Sequence, residues 1–196
     1  MASAMYTART GTYEEFMDVF DPETDDVTAM LRDALINPDP EARAKIANDM
    51  LDRGADAASV EYGNSTLALL LGGNERLGKG DGALAKRLVA GGADVNRRSR
   101  GDLPLRLAIT IDADDDEERR EVYEALFGSE DLDLSLPSSE RNPINTIAGW
   151  LRMNIDGRPG KLDVLDEFLK ESGYLDSQKS VPEIRGVQPE AVQTLA

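Results

Sequence analysis

Apolar side chains in this chain fall in doublets spaced four residues apart. Ile46-Ala47 and Met50-Leu51 form one set, Leu84-Ala85 and Leu88-Val89 a second, Val122-Tyr123 and Leu126-Phe127 a third, and Val164-Leu165 and Phe168-Leu169 a fourth. That spacing puts each set on one face of an α-helix and leaves the other face polar. The first set is opened by Asp39-Pro40-Glu41: an acid able to cap, a proline at the first helical position, and a further acid beside the positive end of the helix dipole. The first two sets run into Gly-Ala-Asp, at 54–56 and 92–94. A glycine there fits the left-handed residue that ends a helix.

A second, shorter apolar element follows each of these turns. Thr66-Leu67 stands ten residues after Asp56, Pro104-Leu105 ten after Asp94, and Pro143-Ile144 ten after Asp133, a period of 38 to 39 residues. The third unit carries Asp131-Leu132-Asp133-Leu134 in place of Gly-Ala-Asp-Val, and the fourth stripe runs into Ser172-Gly173-Tyr174. The pattern predicts four helix pairs: Asp25–Asn37 with Glu41–Arg53, Asn64–Gly72 with Gly82–Ala90, Asp102–Ile111 with Glu117–Phe127, and Pro143–Met153 with Leu162–Glu171. A short helix over Thr12–Phe20 covers the first pair. Residues 1–23 read as an N-terminal segment with that capping helix, 24–175 as the repeat domain, and 176–196 as a tail ordered only by a partner, since it has two prolines and little periodicity.

These residues resemble ankyrin repeats, whose unit is a β-turn and two antiparallel helices around a T-P-L-H-x-A core. The best match is Gly101-Asp102-Leu103-Pro104-Leu105-Arg106-Leu107-Ala108, with Leu103 for the threonine and Arg106 for the histidine. Gly63-Asn64-Ser65-Thr66-Leu67 and Asn142-Pro143-Ile144-Asn145 are poorer copies. The resemblance covers roughly residues 24 to 174 and implies an all-α, helix-turn-helix solenoid of about four units. The period exceeds the family's 33 residues. The surplus falls in long inter-helix loops at Asn74–Asp81, Asp112–Asp116 and Asp156–Lys161.

Composition narrows the function. Without cysteine or histidine there is no disulfide, no thiolate and no histidine-based triad, and the commonest transition-metal ligand is missing. A formal net charge of −16 repels phosphate backbones and anionic membranes and favours a basic protein partner, so neither nucleic acid nor membrane is expected. The N-terminus lacks the apolar core of a secretory signal, and Leu67–Leu71 is the longest apolar stretch, far short of a span; a cytoplasmic location is expected.

Two segments invite a chemical reading and lose it on inspection. Gly73-Asn74-Glu75-Arg76-Leu77-Gly78-Lys79-Gly80 is nearly a P-loop, but Gly80 replaces the hydroxyl residue that holds magnesium, and an inner helix precedes it instead of a strand. Asp112-Ala113-Asp114-Asp115-Asp116-Glu117-Glu118 has Glu117 and Tyr123 where a calcium loop needs glycine and glutamate. These acids suit a helix start, with Asp115 and Asp116 four residues before Arg119 and Arg120. No carboxylate pair sits in apolar surroundings of the kind acid–base chemistry needs. No cofactor, metal or catalytic residue is therefore expected, and the chain reads as non-enzymatic.

The ankyrin resemblance places a binding surface on the turns and inner helices. By repeat position the turn residues are Glu61, Tyr62, Asn64, Arg97, Arg98, Arg100, Asp102, Ser138, Glu140 and Arg141, and the inner-helix residues are Arg106, Asn145 and Trp150. Trp150, the only tryptophan, is either core or an exposed anchor. In size, charge, lack of a signal and irregular repeats the chain is similar to the immunity proteins that bacteria keep against secreted toxins. That resemblance implies a protein that binds and neutralises one basic toxin or enzyme; as a capped array, the free chain is expected to be a monomer. The alternative is a scaffold or adaptor that recruits a partner without inhibiting it.

Overall fold

The computed structural model describes residues 3–174; the predicted tail at 176–196 lies outside them. Ten α-helices and two small antiparallel sheets make up the described chain, so the fold is predominantly helical. The helices are α1 (Ala4–Thr10), α2 (Tyr13–Val19), α3 (Val27–Ala34), α4 (Pro40–Asp52), α5 (Thr66–Gly72), α6 (Asp81–Ala90), α7 (Pro104–Thr110), α8 (Arg120–Phe127), α9 (Ile147–Gly157) and α10 (Asp163–Glu171).

Local chemistry sets the ends of these helices. Asp26, Asp39, Ser65 and Thr146 each accept a hydrogen bond from the first-turn amides of the helix that follows. Thr12 and Glu15 form a reciprocal capping box at α2. Gly54 (φ 91°), Gly92 (φ 96°) and Gly173 (φ 89°) close α4, α6 and α10. The residue after each glycine donates its amide back into the helix, Ala55 to Met50, Ala93 to Leu88 and Tyr174 to Leu169, all at 3.0 Å. The aspartate of the repeat shapes the turn that follows. Asp56, Asp94 and Asp133 each accept, through Oδ1, the amide two residues on, at 2.9, 2.8 and 2.9 Å. The third unit therefore keeps the turn after losing the glycine.

The pairs stack in two layers. One holds α1, α3, α5, α7 and α9, with α1 on α3, α5 on α7 and α7 on α9; in the other α2, α4, α6, α8 and α10 touch in sequence. Each helix also packs on its hairpin partner, and one continuous apolar core runs from Ala4 to Leu169. Loops between the layers are held by buried charge. The Arg43 guanidinium grips the Asp81 carboxylate at 2.8 and 2.7 Å and also donates to the Asn37 carbonyl and to Asn74 Oδ1. Neither side chain of the Arg43–Asp81 pair is more than 1% exposed. Arg119 likewise donates to the carbonyls of Ala108 and Ile111 at the end of α7.

Three expectations need correction. The N-terminal segment is a full helix pair: α1 precedes α2 and packs on α3, burying Ala4, Thr7 and Ala8, residues too small to mark a stripe in the sequence. The helix expected from Pro143 begins at Ile147, because residues 142–146 form a strand and Ile144 is 85% exposed. The pairs Asp115–Arg119 and Asp116–Arg120 give way to Arg119–Asp116 at 3.8 Å and Arg120–Glu117 at 2.5 Å. Glu117–Arg119 is a 3₁₀ turn, in which positions three apart eclipse.

Candidate partner-binding site

Three β-hairpins separate the outer helix of one pair from the inner helix of the next. In the first, β1 (Val60–Glu61) and β2 (Asn64–Ser65) pair Glu61 with Asn64 and leave Tyr62-Gly63 as the loop. In the second, Ser99 and Asp102 exchange backbone bonds of 2.9 and 3.0 Å around Arg100-Gly101. In the third, β3 (Pro137–Ser139) and β4 (Asn142–Thr146) pair Ser139 with Asn142 around Glu140-Arg141.

The first two loops have left-handed backbone at both positions: Tyr62 at φ 50° and Gly63 at 77°, Arg100 at φ 53° and Gly101 at 94°. This two-residue geometry matches the twist of the flanking strands and favours Asn, Asp or Gly at its first position. Tyrosine and arginine there are conformationally disfavoured. Tyr62 is 92% exposed, so nothing within the described fold compensates through packing.

The hairpins are tied into a row. Arg32 of α3 donates to the carbonyls of Ser59, Glu61 and Asn64 and lies 3.3 Å from the Glu61 carboxylate. The Ser65 amide donates to Ser99 Oγ at 3.2 Å, joining the first hairpin to the second. Arg98 donates to the carbonyls of Gly101 and Pro137, joining the second to the third. Arg106 donates to the Ser138 carbonyl at 2.7 Å, with its guanidinium 4.6 Å over the Trp150 ring. Its Nε sits 3.3 Å from the Asp102 carboxylate, close enough for charge attraction, yet makes no hydrogen bond.

The predicted binding residues therefore divide. Tyr62, Arg97, Arg100 and Arg141 are exposed, and their side chains make no hydrogen bond or ion pair among the described residues. Arg98 and Arg106 face inward and hold the row together. Asn64 and Asp102 line a cavity of about 320 Å³ with Ser99 and Arg100, over a floor formed by Ile36, Ala68, Leu69 and Leu107. Asn145 is half-buried in β4, and Trp150 is half-buried under Arg106. Glu61 and Glu140 are exposed and Ser138 is buried.

Two features escaped the sequence reading. Arg32 has no motif around it, and its partners are backbone carbonyls from 27 to 32 residues away. The apolar floor did leave a signal. Leu67–Leu71 is apolar at all five positions, and a helix of a two-layer array buries a stripe, not a full circle. Leu69 is the position left half-exposed.

The two loops weighed for phosphate and calcium pack on each other. Leu77 donates its amide to the Asp112 carbonyl at 2.9 Å, and Arg76 pairs with Asp112 and Asp114. The Gly78 amide donates to Asp81 Oδ2 at 2.7 Å, completing the carboxylate's shell beside Arg43. Among the described residues no group of three or more acids is arranged to hold a metal ion, and no helix is long and apolar enough to cross a membrane.

No protein-family model matches the chain, and no curated protein sequence does. Among solved structures, the crystal structure of a functionally unknown protein from Leptotrichia buccalis C-1013-b is similar, with a TM-score of 0.66 at 22% identity over 87% of this chain and 94% of that one. At that identity the likeness establishes the fold alone.

Proposed function

We propose that the chain is a non-enzymatic, ankyrin-like protein-binding module, and that it acts as an acidic inhibitor of the immunity type, binding and neutralising a basic toxin or enzyme. The observation that carries this reading is the pair of disfavoured hairpin tips. Tyr62 and Arg100 occupy left-handed positions that Asn or Gly would fill at lower cost, and both are exposed, as is Arg97. Strain held where packing does not require it marks a functional position. Tyrosine and arginine are also the residue types that dominate interface energies. The ankyrin-like reading draws further support from the stack of helix pairs joined by hairpins, which matches that family's unit of β-turn and two helices.

The test is capture of a stoichiometric partner from the native lysate, followed by assay of that partner's own activity with and without the chain. Inhibition at one-to-one stoichiometry, lost in Tyr62→Ser with Arg97→Glu and Arg100→Glu, is the expected result. A stable partner whose activity is untouched would replace the inhibitor with an adaptor. Full inhibition by the triple variant would remove the tips from the site.

A further inference from the structure

We propose that the groove between α1 and α2 is a second docking surface, and that its occupant is a cationic amphipathic helix of a protein partner. The groove lies at the open end of the stack. α1 and α2 bury Ala4, Ala8 and Phe16 in the core shared with α3 and α4. Away from that core they enclose a cavity of about 440 Å³, bordered by Tyr6 and Thr10 of α1, by Glu15, Asp18 and Val19 of α2, and by no residue of another pair. The helix pairs inside the stack have a neighbour on each side. Among the described residues the first pair has a neighbour on one side only, and the groove opens on the other.

Tyr6, which borders the cavity, is 62% exposed; Met5 and Met17, at 51% and 36%, are exposed on the same two helices outside the cavity lining. Each helix is seven residues long, about 10 Å, room for two turns of an occupant with apolar anchors three or four residues apart.

Charge identifies what fits. From Glu14 to Asp26 the chain carries Glu14, Glu15, Asp18, Asp21, Glu23, Asp25 and Asp26 and no lysine or arginine. None of the seven forms an ion pair with a described cation, whereas acids elsewhere in the fold commonly do. Arg9, the basic residue nearest them in sequence, is held by Asp33. A groove that sets the apolar surface of Tyr6 and Val19 beside the unpaired carboxylates of Glu15 and Asp18, with five further acids on the same stretch of chain, attracts a segment that brings leucine-like anchors together with lysine or arginine. A second copy of this chain would add another −16 and be repelled. None of the hairpin residues lines this groove, so it is separate from the tips of the function proposed above.

The probe is a short synthetic leucine–lysine peptide with leucines at helical spacing, titrated into the isotope-labelled full chain. The control replaces every leucine with serine and keeps the lysines. Expected are amide shifts confined to α1 and α2, and an affinity about tenfold above that of the control. Tyr6→Ser with Asp18→Asn should erase that advantage without changing the far-UV spectrum, while Arg97→Glu with Arg100→Glu should leave it intact. Equal affinity for both peptides, or shifts spread over the whole acidic surface, would reduce the effect to unspecific charge attraction and overturn the proposal. A concentration-dependent dimer of the chain alone, abolished by Tyr6→Ser, would overturn it in favour of a second copy.

Discussion

At Tyr62 and Arg100 the left-handed backbone makes stability and the proposed binding role separable at a single residue. A left-handed conformation costs a non-glycine residue roughly 1–2 kcal/mol, and asparagine recovers part of that by local hydrogen bonding. Tyr62→Asn and Arg100→Asn should therefore each raise the urea midpoint slightly, by up to about 1 kcal/mol of stability, while weakening partner binding. A lower midpoint in either variant would mean that the side chain supports the fold. The positions were legible from repeat spacing alone, but the inward turn of Arg98 and Arg106 was not. Their partners are carbonyls of Pro137 and Ser138, more than thirty residues away, and carbonyls carry no sequence signature. Tyr123 offers a second test. Its hydroxyl donates to Asp116 Oδ1 at 2.8 Å. Burial, followed by the Asp116 charge and this hydrogen bond, pushes the phenol well above its usual range. The folded chain thus holds that proton more tightly than the unfolded chain does. Its stabilising contribution is complete below the unfolded value of about 10 and is lost as pH rises beyond it. Urea melts on either side of that pH should show an alkaline decline that is shallower in Tyr123→Phe. Parallel slopes in the two proteins would assign the decline to other groups.

At the scale of elements, the sequence spoke clearly where a helix carried a large apolar stripe, a capping acid or a closing glycine, and was silent where it carried none of these. α4, α6 and α10 end at the glycines that the pattern marked. α1 went unseen because alanine and threonine suffice to pack a short helix closely on α3. The start of α9 was misread because Pro143 imitates Pro104, although the third hairpin is longer and its second strand runs to Thr146. The Arg43–Asp81 pair left no mark at all: its two residues stand 38 apart in different pairs and meet only once α4 and α6 stack. Asp81→Asn leaves the guanidinium buried with its charge uncompensated, which costs on the order of 3–5 kcal/mol. Urea denaturation should show that loss with the slope of the transition unchanged. A loss below about 1 kcal/mol would mean that water reaches the site and the pair acts as a surface contact.

Across the whole molecule, the proposed function assigns separate parts of recognition to charge and to shape. A net charge of −16 acts over roughly one screening length, about 10 Å at 0.1 M salt, and so governs encounter more than final affinity. On the proposed reading, the contacts that decide how long a complex lasts are local: the exposed tips at Tyr62, Arg97, Arg100 and Arg141, and the cavity that Leu69 and Leu107 line with Arg100. The two contributions separate in kinetics. With a basic partner, the association rate should fall steeply as salt rises, and neutralising Glu14, Asp18 and Glu23 to their amides should lower it further while leaving dissociation nearly unchanged. Tyr62→Ser should do the reverse, speeding dissociation at an unaltered association rate. Surface-plasmon measurements over a salt series read both rates. An association rate indifferent to salt would mean that the acidic surface does not steer the partner, and its excess charge would then be explained by solubility alone.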